Sequence, residues 1–236
     1  MRKAFAALVI VAGLSAGCAP PLPRPTEAVE QEPAHFPGEL YRAAIARGEP
    51  VFRIDPARSL VVIEVRRAGS LARVGHDHVV ASHDVQGYAA PGQGRSDLYV
   101  PLGRLVVDEP ALRAEAHFDT QPSEADIAGT RENMLTRVLE VDRYPFAVVS
   151  VDGGFASTSD PDVDVALTLH EVTHTTRLPL RIESQGDEIV VTGSLAVQQT
   201  DFGIVPLSIL GGAIQVANEI NLRFRISARR CMPHSC

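Results

Sequence analysis

The sequence predicts an all-β protein with antiparallel strands, and three observations lead to this fold class. Apolar residues recur at every second position in several runs, which is the period of a strand with one buried face. Clusters of Gly, Pro and Asp separate these runs at the spacing of a β-sandwich or a β-barrel. One main run, between the middle strands, has apolar residues at helical spacing instead.

The alternation is clearest in the second half of the chain. Residues 163–169 alternate apolar and polar side chains, and residues 177–183 do the same after a short turn, so the two runs predict one hairpin. Residues 189–197 repeat the pattern with a bend at Gly193, and residues 219–226 repeat it again. Earlier strands are predicted at residues 61–67, 72–80, 85–90, 96–107 and 113–119.

Residues 123–139 have the periodicity of a short helix, because their apolar side chains are spaced by three, four and seven. Asp119, Glu124 and Asp126 precede or open this helix, where negative charge stabilises the N-terminus. Capping therefore explains these carboxylates better than acid–base catalysis. A second short helix is predicted at residues 39–47.

The N-terminus has the pattern of a processing signal. Arg2 and Lys3 precede an apolar run too short to span a bilayer, so residues 1–17 are predicted to be a signal peptide. Residues 15–18 (Ser-Ala-Gly-Cys) resemble the lipobox of bacterial lipoproteins, in which Cys18 is lipidated. The alternative is an ordinary signal peptide cut nearby. If Cys18 is lipidated, Ala19 rather than Asp after it indicates sorting to the outer membrane, so we expect a periplasmic protein anchored there.

Composition sets the predicted domain boundaries. Residues 18–50 comprise the lipidated N-terminus, a proline-rich segment that favours an extended tether, and the short helix. Residues 51–228 form the β domain, whose length provides an ample core. Residues 229–236 form a C-terminal tail.

Charge and residue types exclude several classes of function. The formal net charge is −7, and signal cleavage also removes Arg2 and Lys3, so the mature protein has no overall attraction for nucleic acid. Lys3 is the only lysine, which excludes a Schiff-base, P-loop or kinase lysine after cleavage. Residues 201–203 (Asp-Phe-Gly) are therefore not the magnesium motif of a kinase.

Three segments together resemble the YceI-like family of bacterial envelope proteins: residues 133–150 (NMLTRVLEVDRYPFAVVS), 167–173 (LTLHEVT) and 200–203 (TDFG). The resemblance covers roughly residues 51–228. It implies an antiparallel, eight-stranded, lipocalin-like β-barrel whose interior holds a long isoprenoid lipid, such as a polyprenyl chain or a quinone tail. It also implies a binding protein that is not an enzyme and has no other cofactor.

The aliphatic side chains facing the barrel interior are the candidate lipid site. Each methylene buried there contributes about 0.8 kcal/mol, so a long isoprenoid needs few polar contacts. Alternation indicates burial and not emptiness, so a solid structural barrel without a ligand is an alternative. The sequence also leaves open whether the barrel forms a homodimer. The candidate lining residues are Val165, Leu167, Leu180, Val191, Leu195, Leu222 and Phe224.

Residues 75–78 (Gly-His-Asp-His) are a candidate metal site. His76 and His78 would project from the same face of a strand with their Cα atoms about 6.5 Å apart, so both rings could reach one zinc or copper ion. His83 is a candidate third ligand, and such a site could serve a metal-dependent protein, including a hydrolase. The alternative is a half-exposed pair that bonds loop backbone or lies at the barrel mouth near a ligand headgroup.

Cys231 and Cys236 are the two cysteines left once Cys18 is assigned to lipid. An oxidising periplasm would allow them to close a small loop as a disulfide. The alternatives are free thiols in a frayed tail, or a metal site with His234, whose spacing differs from that of strong zinc motifs.

Overall fold

The β-strands of the computed structural model form one antiparallel sheet. The structure describes residues 32–153, 161–232 and 236, and Glu32–Cys236 form one compact unit. Thirteen strands lie in the described residues: β1 (Phe52–Ile54), β2 (Leu60–Ala68), β3 (His78–Ser82), β4 (Gln86–Ala90), β5 (Arg95–Pro101), β6 (Val106–Val107), β7 (Phe146–Asp152), β8 (Asp162–Leu169), β9 (Val172–Pro179), β10 (Arg181–Gln185), β11 (Glu188–Gln198), β12 (Ser208–Ile209) and β13 (Ile214–Arg230).

The hydrogen-bonded strand order is β6-β3-β2-β13-β1-β4-β5-β7-β8-β9, an open path with β6 and β9 at its ends. Off this path, β11 pairs with β10 and β13, and β12 pairs with β13. The predicted all-β antiparallel class is confirmed. Part of the difference from eight strands arises because helical turns at Pro56–Arg58 and Leu102–Arg104, and the single residue Leu180, divide longer extended runs.

Two predicted strands differ from the structure. Residues 113–119 overlap a helix, α2 (Pro110–Glu115), which Pro110 begins because its fixed φ and missing amide suit the first helical position. Residues 72–80 begin with a helical turn at Ala72–Val74, and β3 starts only at His78. His76 therefore precedes the strand on which it was predicted to lie.

Both predicted helices are present. α1 (Gly38–Ala46) lies at the predicted residues 39–47, and α3 (Glu124–Asn133) continues as a π-helical turn at Met134–Val138. The Ser123 hydroxyl accepts from the Asp126 amide at 3.2 Å, and the Asp126 carboxylate accepts from the Ser123 amide at 3.0 Å. This reciprocal cap satisfies two donors at the helix start, the role predicted for Asp126.

The two faces of the sheet have different neighbours. Val61 and Ile63 of β2 face the interior, and Val62 between them packs on the outer face against Val79 and Leu112 of α2. The outer face of β4 and β5 carries α1 in the same way. No helix among the described residues has both the length and the apolar character needed to cross a membrane.

α1 is held on the outer face by a buried polar cluster. The Tyr41 hydroxyl donates to Asp97 at 2.7 Å, and Asp97 also accepts from the Arg95 guanidinium and the Ser150 hydroxyl, each at 2.7 Å. Tyr41 stacks on Tyr88 with ring centroids 5.2 Å apart. Three donors thus compensate the burial of the Asp97 carboxylate.

Several predictions concern the chain termini. The signal peptide, Cys18 and the tether up to residue 31 lie outside the described residues, as does His234. β13 extends to Arg230, so the predicted start of the tail at residue 229 falls inside a strand. The sulfurs of Cys231 and Cys236 are bonded in the structure, with their Cα atoms 5.0 Å apart.

Candidate functional site

Two apolar cavities lie against the inner face of the sheet. The first has a volume of about 220 Å³, and the second about 200 Å³. The structure brings all seven candidate lining residues together in the first cavity: Val165, Leu167, Leu180, Val191, Leu195, Leu222 and Phe224.

The two cavities adjoin. Six residues line both of them, so these side chains form the junction between two compartments of one apolar space. No Asp, Glu, Lys or Arg lines either compartment among the described residues. The junction residues are Ile63, Leu102, Leu105, Ala147, Leu167 and Leu222.

The alternating sequence places these side chains because every second residue of a strand faces the same side. On β7, Ala147, Val149 and Val151 face the first cavity. Gly193 of β11, predicted as a bend, makes room for the Phe224 ring, since a Cβ at this position would lie 2.6 Å from a carbon of that ring. The missing side chain thus lets the Phe224 ring lie close to the backbone of β11.

α3 and the π-helical turn close one end of the second cavity. Thr130 of α3 lines it together with Met134, Val138 and Leu139. Because π-helical turns widen the backbone spiral locally, this turn shifts the side chains that follow it, and they face the apolar space here. Leu135 of the same turn is buried.

Three polar side chains, His78, Thr130 and Gln199, line the second cavity within the described part of the chain. His78 Nδ1 lies 2.6 Å from Asp108 Oδ2, and His78 Nε2 lies 3.3 Å from the Thr130 hydroxyl. The side-chain amide of Gln199 donates to the Ala217 carbonyl at 2.8 Å. These groups form the polar end of the cavity.

Asp108 is the buried anchor of this polar end. It accepts from the Val79 amide at 3.0 Å and from the Arg113 guanidinium at 2.5 Å, in addition to its contact with His78. Burial raises the pKa of Asp108, but the bonds from His78, Val79 and Arg113 outweigh burial and hold the pKa below its usual value. Asp108 therefore stays ionised and fixes the orientation of the His78 ring.

The three candidate metal ligands do not converge. The rings of His76 and His78 are 6.2 Å apart between centroids, and His76 Nε2 lies 3.9 Å from Asp126 Oδ2. His83 lies beyond the other end of β3, roughly 16 Å along the strand from His78, where its Nε2 is 2.8 Å from Glu109 Oε2. Among the described residues, no group of three His, Cys, Asp or Glu side chains could hold a metal ion.

Two of the segments that carry the family resemblance meet in space. His170 Nε2 lies 2.9 Å from the Leu139 carbonyl, and its ring stacks on Tyr144 with centroids 4.3 Å apart. His170 is half-buried between these partners. These contacts join the β8–β9 turn to the end of the π-helical turn and so fix the wall of the second cavity.

Comparison with known proteins gives one family and a shared fold. Two solved structures are similar: a polyisoprenoid binding domain from Saccharophagus degradans implicated in plant cell wall breakdown and BcnA from Burkholderia cenocepacia. The first is 14% identical with a TM-score of 0.56, and the match covers 76% of this chain and 98% of that chain. BcnA is 14% identical with a TM-score of 0.50, covering 74% and 98%.

At this identity the two structures establish the fold alone. No curated protein matches the chain. The sequence profile of the YceI-like domain matches residues 52–228, which include every residue that lines the two cavities. Because this match spans most of the chain, the protein belongs to the YceI-like domain family.

Proposed function

We propose that the protein is a non-catalytic carrier that binds one apolar isoprenoid lipid in the two adjoining cavities. The observation that carries the proposal is the lining, which is aliphatic throughout the first cavity apart from Phe224 and small residues such as Ser82 and Ser96. Each buried methylene contributes about 0.8 kcal/mol, so an isoprenoid chain gains affinity in proportion to its length. The Saccharophagus degradans relative, which is named a polyisoprenoid binding domain, supports this ligand class.

The lining also favours an uncharged headgroup. An ionised headgroup in this space would lose its hydration without meeting an Arg or Lys among the described lining residues. At the end of the second cavity, His78 Nε2 can accept a hydrogen bond from a ligand hydroxyl, and the Thr130 hydroxyl can donate one to a ligand oxygen. A prenyl alcohol or a quinone fits this chemistry better than a prenyl diphosphate.

We propose further that the sheet acts as a closed eight-stranded barrel. The strand path β13-β1-β4-β5-β7-β8 leads to β9, and Leu180 alone separates β9 from β10. β10 pairs with β11, and β11 pairs with β13, where the path began. If β9 and β10 are taken as one bent strand, the ring contains the eight strands that the family resemblance implies.

The cellular setting is also a proposal, and it rests on the N-terminal sequence. The predicted signal peptide and the lipobox-like residues ending at Cys18 support a lipoprotein anchored in the outer membrane and facing the periplasm. A homodimer stays a prediction. His83 lies far from His76 and His78, and in the part of the chain that the structure describes no other His, Cys, Asp or Glu completes a metal site with them, so no metal-dependent function is proposed.

Native mass spectrometry of the full chain after gentle extraction tests the carrier function. We expect one isoprenoid lipid per chain, identified by fragmentation after release. In reloading experiments, a prenyl alcohol should bind more tightly than the diphosphate of the same chain length. Recovery of lipid-free protein that keeps its fold, together with failure to load either compound, would reject the carrier.

A further inference from the structure

A long uncharged stretch forms one edge of the second cavity. Residues 202–218 contain no Asp, Glu, Lys or Arg, although charged residues make up 22% of the chain. A surface loop of a soluble domain usually carries charge, so this composition needs a structural reason. The stretch includes β12, the start of β13 and the turn between them.

The first part of this stretch presents apolar side chains on two sides. Phe202, Ile204 and Leu207 line the second cavity. Val205 lies between them in sequence but has 79% of its surface exposed. The loop therefore separates the apolar cavity from solvent while carrying an apolar side chain on its outer side.

The second part is a hairpin whose tip is also apolar and exposed. Ile209 of β12 pairs with Ile214 of β13, and the turn passes through Leu210, Gly211 and Gly212, all with positive φ. Ile209 is 45% exposed and Leu210 is 71% exposed. The two glycines adopt this conformation without strain and let the hairpin project its apolar tip.

A neighbouring turn adds a fourth apolar side chain. The Leu71 amide donates to the Ala213 carbonyl at 2.8 Å, which holds the turn at Ala72–Val74 beside the hairpin. Val74 on this turn is 59% exposed. We call Val74, Val205, Ile209 and Leu210 the apolar tip.

We propose that the apolar tip inserts into the surface of a lipid bilayer and forms the portal through which the ligand passes between the membrane and the second cavity. This inference rests on the proposed function, because the reservoir of an isoprenoid lipid is a bilayer. Exposed apolar patches mark interaction sites, and the uncharged stretch matches the hydrocarbon boundary of a membrane. Residues 202–218 supply no positive charge, and the turn that carries Val74 supplies one exposed cation, Arg73, so anionic lipid should strengthen insertion only slightly.

A tryptophan reporter tests insertion directly, because the chain contains no tryptophan. In the full chain, Val205→Trp should show a blue-shifted emission on adding phosphatidylcholine vesicles and should be quenched by lipids brominated on their acyl chains. Gln185→Trp is the matched control, since Gln185 lies at the turn before β11, roughly 33 Å along that strand from its end near the apolar tip. Its emission should not change. This local readout separates insertion of the tip from any attachment by the N-terminus.

A double substitution that makes the apolar tip more polar completes the test. With Cys18→Ser in both chains to remove the lipid anchor, Val205→Ser combined with Leu210→Ser should weaken vesicle binding by about tenfold or more. It should also slow lipid uptake from vesicles, while lipid loading from detergent stays unchanged. Raising the salt concentration should weaken binding of the original chain only slightly, because Arg73 is a single exposed charge beside Val74. If Val205→Trp is no more quenched than Gln185→Trp, the portal inference is wrong, and a blue shift that depends only on protein concentration would point to a second copy of the chain instead. If no variant loads lipid from detergent, the carrier function is rejected. The quenching of Val205→Trp would still show whether the apolar tip inserts into the bilayer.

Discussion

His78 and Asp108 are joined by a 2.6 Å hydrogen bond between Nδ1 and Oδ2, at the polar end of the second cavity. The ionised carboxylate of Asp108 can only accept, so Nδ1 of His78 carries the proton. Nε2 is then directed at the Thr130 hydroxyl and the cavity. A buried charge thereby fixes which nitrogen of His78 a ligand would meet.

Replacing His78 tests whether this nitrogen recognises a ligand oxygen. The quantity to compare is the affinity for a prenyl alcohol divided by the affinity for a hydrocarbon of equal length. His78→Leu should lower this ratio by roughly twofold to tenfold, because it removes one hydrogen bond to the alcohol. Displacement of a fluorescent lipid measures both affinities. A general loss of packing in the cavity would lower both affinities alike, so it would not change their ratio.

His83→Leu is the control for that substitution, because His83 lies beyond the opposite end of β3 and contacts Glu109. It should leave the ratio unchanged. An unchanged ratio in His78→Leu as well would show that the polar end does not contact the headgroup.

The sequence predicted the cavity lining better than its polar end, for a physical reason. Strand alternation specifies which side chains share a face, so Val165 and Leu167 could be assigned to the interior from local pattern. His78 and Asp108 are 30 positions apart, and no local period relates them. Their pairing depends on how β3 and the segment before α2 meet in space.

The same limit explains the elements that were missed. α2 has six residues, less than two helical turns, which is too short for a helical period to be recognised, and Pro110 was its main local signal. The segments that carry the family resemblance contain His170 and Tyr144, but nothing in the segments predicts the contact between the two rings. Such contacts link segments that are distant in sequence, so they follow from the fold and not from a pattern.

Asp97 is expected to make stability depend on pH. Burial raises its pKa, but the bonds from Arg95, Ser150 and Tyr41 lower it more, so its pKa in the folded state lies below the unfolded value of about 3.9. A carboxyl whose folded pKa is depressed stabilises the fold above the unfolded pKa, and this contribution is lost as the pH falls through the folded pKa.

Asp97→Asn removes this contribution. Urea unfolding at pH 7 should give a free energy of unfolding about 2 kcal/mol lower than that of the original chain. The difference should shrink between pH 5 and pH 2, because the original chain loses the contribution by protonation. A difference that is constant over this range would mean that Asp97 does not titrate differently in the two states.

The β8–β9 turn offers two substitutions with opposite expected signs. His170 and Glu171 both have positive φ, at 52° and 61°, a conformation that costs an L residue about 1–2 kcal/mol and glycine almost nothing. Glu171 is exposed, so Glu171→Gly should raise the free energy of unfolding by about 0.5–1 kcal/mol after the entropy cost of glycine.

His170→Gly relieves the same strain but removes the bond to the Leu139 carbonyl and the stacking on Tyr144. It should lower the free energy of unfolding by about 1 kcal/mol. Chemical denaturation of both variants measures the two signs. If both stabilise the protein, the contacts of His170 contribute less than its backbone strain.

Ala147 gives the sharpest test of how the two compartments work together. It lines both cavities at their junction, and its small side chain takes up little space there. Ala147→Phe should fill the junction, so that a prenyl chain long enough to span both compartments binds much more weakly. A chain short enough for one compartment should bind nearly as well as before, because each cavity keeps most of its lining.

Val148→Phe is the matched control, since Val148 is the next residue of β7 and, by the alternation of the strand, lies on the opposite face. It adds an aromatic ring to the same strand without entering the cavity, and long and short lipids should both bind as before. Affinities for a series of prenyl alcohols of increasing length provide the measurement. If Ala147→Phe weakens short and long chains equally, the compartments act as independent sites, and if it weakens neither, the lipid lies elsewhere.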